Sequence, residues 1–429
     1  MKISLLGHKD HGKSTLIGRL LVDCGVAQRE RVEHVKRLSE SLGKDFEYAF
    51  LLDAFREERL EGLTIDATSA KIAVRGTVFE LIDVPGHKEL VKNMLSGASR
   101  ADYALLVVSA KPGEGFQEET MLHVFLARLL GLEKIIVAVT KMDLSGYSRS
   151  VFDELAAKVL DYLNFVGFER EQVRILPVSA MDGVNLKDKS DKTPWFDGAP
   201  LLEEIPAFFG KENAEQAEAR ALAKPARFIV QDEVDVGGEP VFVGRVEQGS
   251  LRKGERVVFI PQGATGSIKE FVAFGDAKTE EVKAGENTGL RILFDSAASQ
   301  KPARGSVACK PDSVVRAVKR FTAKFFVLPG FSVSLLKPVK LKNAAGEFEC
   351  STEEVVDKID FFNRTYVPTP GVNEARSTEC FRAVFSSERP AVVESFKETP
   401  FLGRFVLLDD KKQIAAVGVV EKTFGETNS

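Results

Sequence analysis

Met1-Lys2-Ile3-Ser4-Leu5-Leu6-Gly7-His8-Lys9-Asp10-His11-Gly12-Lys13-Ser14-Thr15 is the stretch from which the fold of this 429-residue chain is read. The apolar run from Ile3 to Leu6 predicts a buried strand. Gly7 to Ser14 fits G-x-x-x-x-G-K-[ST], and the apolar spacing from Thr15 to Val22 predicts a helix. Strand, glycine-rich loop and helix in that order are what a phosphate-binding loop physically requires. Gly7 and Gly12 let the backbone turn sharply and bring its N–H groups close to an anion. The new helix adds its positive end and its unsatisfied amides. Lys13 is expected to reach the β- and γ-phosphates of a nucleotide, and the Ser14 hydroxyl to ligate Mg²⁺. His8, Lys9, Asp10, His11 and Thr15 ride on the same loop. An ordinary turn between strand and helix would need no Lys-Ser pair there.

Outward from this loop, helical spacing covers Arg29 to Leu42 and Phe46 to Leu60. Alternation over Ala70–Val74 and Val78–Ile82 predicts a hairpin around Arg75-Gly76-Thr77. The second of these strands ends in Asp83-Val84-Pro85-Gly86-His87, and a helix follows through Met94 toward Ser99. Tyr103–Ser109 is a continuous apolar strand and Gln117–Leu130 a helix. Lys134–Val139 is a strand ending in Thr140-Lys141-Met142-Asp143. Phe152–Val166 is a helix, and Arg174–Val178 a strand ending in Ser179-Ala180-Met181. Short buried strands alternating with helices predict a doubly wound, mostly parallel α/β sheet. Every candidate site lies at a strand's carboxyl end, where such sheets bind ligands.

Beyond residue 210 the pattern changes. Residues 211–223 are polar and Ala-rich and read as a linker. Short alternating strands with Gly-bearing turns follow, among them Arg227–Val230, Val241–Val246, Arg256–Ile260 and Gly289–Phe294. They predict a small β-barrel. Lys310-Pro311-Asp312 reads as a joint before a second all-β stretch from about Val318 to Lys422. The expected domains are 1–210, 224–313 and 314–429, and the last five residues are expected to fray.

The strand ends form a constellation. Asp83 would hold Mg²⁺ together with Ser14 and Thr64. Gly86 lets an amide approach the γ-phosphate, and Thr64 would close its loop over metal and phosphate only in the triphosphate state. His87 would position the attacking water. Asp143 can accept two hydrogen bonds from the N1 and N2 donors of guanine, which adenine lacks, so adenine would leave a polar site unpaired. The Lys141 stem would lie along the base, beside Thr140, with Ser179, Ala180 and Met181 completing the pocket. The expected ligands are therefore GTP or GDP and Mg²⁺.

Composition is that of a globular chain, with 44% hydrophobic and 28% charged residues. Its 59 basic and 63 acidic residues give a net charge of −4, which offers no support for a general affinity for nucleic acid. Cys24, Cys309, Cys350 and Cys380 lack metal-ligand spacing and read as reduced thiols. No apolar run is long enough to span a membrane, and no leader-like segment precedes the first strand, so a cytoplasmic location is expected. The 31 phenylalanines suggest no chemistry by themselves.

Gly7-His8-Lys9-Asp10-His11-Gly12-Lys13-Ser14-Thr15, Gly62-Leu63-Thr64-Ile65-Asp66, Asp83-Val84-Pro85-Gly86-His87, Thr140-Lys141-Met142-Asp143 and Ser179-Ala180-Met181 resemble the translational GTPases, specifically the elongation factor 1-alpha type of archaea and eukaryotes. Asp191-Lys192-Thr193-Pro194-Trp195-Phe196-Asp197-Gly198, Val243-Gly244-Arg245-Val246-Glu247-Gln248-Gly249 and Leu402-Gly403-Arg404-Phe405 belong to the same branch. The resemblance implies a GTPase domain followed by two β-barrels that close on aminoacyl-tRNA, or a tRNA-like protein, at the ribosome. It further implies hydrolysis triggered there through His87, and a nucleotide-exchange factor as a partner.

The chain also departs from the family pattern. Lys9 stands where the family has valine, one side of an apolar gate whose other side is Leu63. Thr140 replaces asparagine, Glu61 replaces arginine, and the family's histidine-bearing segment is not recognisable between Phe331 and Cys350. Two alternatives remain open at this point. One is a ribosome-rescue GTPase carrying a pelota-like protein. The other is the GTPase subunit of sulfate adenylyltransferase, against which stands Asp10-His11 in place of two aspartates.

Overall fold

The computed structural model describes residues 2–27, 29–41, 48, 50–51, 69–74, 76–83, 103–129, 131–210, 219, 222–272, 279–295 and 301–424. The opening apolar run forms β1 (Lys2–Leu6), followed by α1 (Lys13–Asp23) and α2 (Arg29–Ser41). β2 (Ser69–Val74) and β3 (Thr77–Asp83) are the expected antiparallel hairpin. Then come β4 (Tyr103–Ser109), α3 (Glu118–Leu129), β5 (Lys134–Thr140), α4 (Arg149–Phe165), β6 (Val173–Pro177) and α5 (Leu201–Phe209). α4 starts three residues before the apolar pattern does because Ser148 caps it, its hydroxyl accepting from the Val151 amide at 3.4 Å. The helices expected at 46–60 and through 94–99 lie almost wholly outside the described residues, as do the loop carrying Thr64, most of the 211–223 linker and the last five residues.

The first sheet has the order β2-β3-β1-β4-β5-β6, parallel except for β2. Its inner strands are buried along nearly their whole length, which explains their unbroken apolar sequence. Register aligns Leu5 with Asp83, Leu6 with Leu106, Ser109 with Thr140 and Val139 with Pro177. The carboxyl ends of β1, β3, β4, β5 and β6 therefore emerge along one edge. α1 lays Leu16, Ile17, Leu20 and Leu21 into the core, each buried side chain contributing roughly 1.5–3 kcal/mol. That packing fixes where the helix starts, and so where the loop before it sits. Among the described residues no helix is long and apolar enough to cross a membrane.

Contacts divide the chain into two units, Met1–Lys211 with Phe361–Arg364, and Glu212–Asp360 with Thr365–Ser429. From Arg227 onward the described residues of the second unit are strands and turns apart from one short helix. β7 (Arg227–Val236), β8 (Glu239–Gln248), β9 (Ser250–Arg252), β10 (Arg256–Ile260), β11 (Ala264–Val272), β12 (Glu281–Lys283), β13 (Asn287–Phe294) and β14 (Val307–Cys309) come first. Six of them close a barrel in the order β10-β11-β13-β8-β7-β14, while β9 and β12 pair separately. β15 (Ala317–Val327), β16 (Val333–Ser334), β17 (Val339–Asn343), β18 (Gly346–Asp360), β19 (Thr365–Val367), β20 (Glu374–Ala375), β21 (Cys380–Val392), α6 (Pro400–Gly403), β22 (Arg404–Leu408) and β23 (Ile414–Phe424) complete it. Here the sheet runs β17-β22-β23-β15-β21-β18-β19, and the extra pairing of β17 with β18 turns six strands back on themselves.

Phenylalanine fills both β cores: Phe228, Phe242 and Phe259 in the first, and Phe321, Phe325, Phe381, Phe385 and Phe405 in the second. The abundance of that residue is a packing device. A further cluster joins the two β-domains through Ile229, Val258, Val307, Cys309, Val315, Val392 and Leu402. All four cysteines are free thiols.

Candidate nucleotide site

The chain leaves β1 through Gly7 at φ +136°, hard against the neighbouring strand: a Cβ there would lie 2.4 Å from the Val107 carbonyl oxygen. Only glycine fits. Lys9–His11 make one 3₁₀ turn, begun by His8, whose Nδ1 accepts from the Asp10 amide at 3.3 Å. Gly12, in the left-handed region at φ 86° and ψ 23°, is the N-cap of α1. Lys13, Ser14 and Thr15 form the helix's first turn, where amides have no intrahelical acceptor and the dipole is positive. The Lys13 ammonium donates to the Gly7 carbonyl at 2.7 Å and the His8 carbonyl at 2.9 Å, tying the end of the loop to its beginning. Lys9 and Asp10 are exposed.

His11 and Thr140 brace this loop from inside. The His11 ring is fully buried, with Nδ1 3.2 Å from the Val107 carbonyl oxygen. Burial lowers its pKa, and because a carbonyl oxygen can only accept, Nδ1 is the nitrogen that donates. The Thr140 hydroxyl donates to the His11 carbonyl at 2.7 Å and lies 3.2 Å from that of Val108. At 2% exposure, Thr140 joins the end of β5 to the phosphate loop through a backbone contact.

Asp143 and Ser179 lie on strand-end turns held by side chains. Lys141 sits in the left-handed region at φ 56° and caps the 3₁₀ turn Met142–Ser145, which carries Asp143. The Ser179 hydroxyl donates to Asp143 Oδ1 at 2.6 Å, while Oδ2 has no partner among the described residues. Ala180 is buried and Met181 is 48% exposed. Asp83 ends β3, one strand from the loop, but its side chain lies outside the described residues, as do Thr64, Gly86 and His87 entirely.

Two residues beyond the sequence pattern also belong to this geometry. Glu114, in the turn after β4, pairs with Lys141 at 2.8 Å and Lys111 at 3.0 Å and so holds the Lys141 ammonium. Its place in Lys111-Pro112-Gly113-Glu114-Gly115, at a strand's carboxyl end, was the available signal. Arg19, half-way along α1, donates to the Ala180 and Met181 carbonyls. An arginine on the polar face of a helix gives no signal in sequence.

Burial works to raise the Glu114 carboxyl, but bonds from Lys141, Ser109 and Lys111 outweigh it and hold it at about 2, against an ordinary 4.5. A folded pKa below the unfolded one contributes stability that is complete above about 4.5 and lost as pH falls through about 2. In acid titrations followed by chemical denaturation, the stability gap between the unmodified protein and Glu114→Gln is expected to close across that window. A gap of constant size from pH 6 to pH 2 would mean that the pairing adds nothing.

Residues 1–214 match the family described as the elongation factor Tu GTP binding domain, and residues 320–421 match the GTP-eEF1A C-terminal domain-like family. The chain is 34% identical over 441 residues to elongation factor 1-alpha of Pyrobaculum aerophilum, covering 98% of this chain and 94% of that protein. It is 35% identical over 433 residues to elongation factor 1-alpha of Archaeoglobus fulgidus, covering 99% and 98%. A crystal structure of sup35 complexed with GDP aligns with a TM-score of 0.44 and 25% identity, over 99% of this chain and 94% of that one.

Proposed function

Because the chain belongs to the elongation factor 1-alpha family of GTPases, we propose that its GTP-bound form carries an aminoacyl-tRNA, or a protein of similar outline, to the ribosome and releases it after hydrolysis there. The observation that carries this reading is the extent of the likeness. About a third of residues are identical across 98% of the chain, which takes in the GTPase unit and both β-domains together.

In this reading the first-turn amides of α1 and the Lys13 ammonium hold the β- and γ-phosphates. Asp143 reads guanine through its N1 and N2 donors, with the Lys141 stem along the ring and Ser179 and Ala180 at its edge. His87 orients the attacking water, and contact with the ribosome completes its placement. The metal reading has a fit to the donor set. Ser14 lies in the first turn of α1, and the Leu5–Asp83 register places the end of β3 beside the strand that feeds the loop. A hydroxyl and a carboxylate are the oxygen donors Mg²⁺ takes alongside water and phosphate. Ser14, Asp83 and Thr64 would hold it, and it would neutralise phosphate charge. A cytoplasmic location and a nucleotide-exchange factor belong to the same proposal.

The test is capture of cargo. Tagged full-length protein loaded with a non-hydrolysable GTP analogue is recovered from lysate, bound RNA is sequenced and bound protein is identified. Aminoacylated tRNA recovered with the analogue but not with GDP is the expected result. A pelota-like protein without tRNA would move the assignment to ribosome rescue, and an adenylyltransferase partner would overturn the translational reading.

A further inference from the structure

We infer that Arg19 is a positioning residue for guanine recognition, linking the helix that begins at the phosphates to the turn that meets the base. The inference rests on the proposed reading of Asp143, Ser179 and Ala180 as the base pocket. The Arg19 Nε is held by both Asp23 oxygens, at 2.9 and 3.0 Å, one turn further along α1. This fixes the plane of the guanidinium, which lies 5.1 Å over the Tyr48 ring. Nη1 then donates to the Met181 carbonyl at 2.9 Å and the Ala180 carbonyl at 3.2 Å. Arg19 and Asp23 are only 19% and 15% exposed, so water competes weakly for these bonds.

A peptide plane is rigid, so holding a carbonyl aims the amide attached to it. The plane whose carbonyl belongs to Met181 presents the Asp182 N–H, which donates to the Ser179 hydroxyl oxygen at 3.2 Å. That hydroxyl in turn donates to Asp143 Oδ1 at 2.6 Å. A continuous chain of bonds thus runs from Arg19 through the 181–182 peptide and Ser179 to the carboxylate that reads guanine. A second contact presses the turn against the guanidinium. At Gly183, with φ +72°, a Cβ would lie 2.1 Å from Arg19 Nη2. Ala180 packs in the core while Met181 is 48% exposed, so hydrogen bonds hold the Met181 end of the turn.

The experiment compares GDP with ADP, which share phosphates and ribose and differ in the base, by competition against a fluorescent nucleotide on the full chain. Arg19→Ala is expected to weaken GDP about tenfold and to leave ADP within about twofold, narrowing the preference between them. Arg19→Lys should fall between, because it keeps the charge but lacks the fixed planar fork that places Nε at Asp23 and Nη1 at the two carbonyls. It keeps the apolar stem and carries the test if the alanine variant misfolds. Equal weakening of both nucleotides would make Arg19 a support of the helix alone, and no change in either would remove its role; both results overturn the inference. Asp143→Asn run in parallel separates the two levels. If it narrows the GDP preference and Arg19→Ala does not, the inference fails by itself. If Asp143→Asn leaves the preference intact, the base-pocket reading fails and the inference falls with it.

Discussion

Lys13→Ala is expected to bind a fluorescent, non-hydrolysable GTP analogue at least a hundredfold more weakly than the unmodified protein while remaining folded. The ammonium has two tasks here. It ties the Gly7 and His8 carbonyls together, at 2.7 and 2.9 Å, and it supplies the positive charge nearest the first turn of α1. Bonds to a charged group contribute about 1.5–3 kcal/mol each. Loss of two phosphate contacts therefore amounts to about 3–6 kcal/mol, or about two to four powers of ten in affinity. Lys13→Arg should not restore binding, because a planar fork cannot replace a compact charge that three acceptors share. The fold should survive, since both carbonyls can turn to water at a half-exposed loop. Gly7→Ala is the contrasting variant. Its Cβ would sit 2.4 Å from the Val107 carbonyl oxygen at a φ that alanine avoids, so both nucleotide binding and the melting temperature should drop. A Lys13→Ala affinity within about threefold of the original would place the nucleotide elsewhere on the protein.

Much of the first unit is legible in sequence because its strands are buried on both faces. Ala104–Val108 and Ile135–Val139 are apolar throughout, and both runs stop at a polar residue, Ser109 and Thr140. The phosphate loop is equally plain, because Gly7, Gly12 and Lys13 each answer a steric or electrostatic demand of their position. What sequence does not display is how the loops are held. Thr140 reads as a base-pocket residue in its tetrad, whereas its hydroxyl bonds the His11 carbonyl, a partner 129 positions away. Arg19 and Glu114 are surface-type residues by composition and are fixed by partners far along the chain. α5 contains Pro206, a residue that argues against a helix, yet Leu201, Leu202, Ile205, Phe208 and Phe209 bury enough apolar surface to override it. In the β-domains, alternation marks the strands, but the closing pairs β10–β14 and β17–β18 depend on contacts that no local pattern encodes.

Arg227→Ala is expected to destabilise the β-rich unit by about 3–5 kcal/mol, the range for removing one partner of a buried ion pair. Arg227 begins the first barrel and Glu394 follows the last strand pair of β21, and their side chains are 6% and 16% exposed. The contact is bidentate, Nε to Oε2 at 3.2 Å and Nη2 to Oε1 at 2.9 Å. Nη1 also donates to the Ala226 and Ser313 carbonyls, and Glu394 accepts from the Thr399 hydroxyl. Every group is thus paired, which makes loss of the arginine worse than loss of the pair: Glu394 would keep a buried charge with one hydroxyl partner. The double variant Arg227→Met, Glu394→Leu should recover most of the stability, since it leaves no charge unpaired, and Ile229 and Val392, each two residues from a member of the pair, already belong to an apolar cluster. The chain's one tryptophan, Trp195, lies in the GTPase unit and separates the two readouts. In Arg227→Ala, far-ultraviolet dichroism from the β-domains should lose its transition at lower denaturant, while the Trp195 fluorescence transition stays in place. Coincident movement of both signals would mean that the two units unfold together, and a stable Arg227→Ala protein would show that the apolar cluster alone holds the two β-domains.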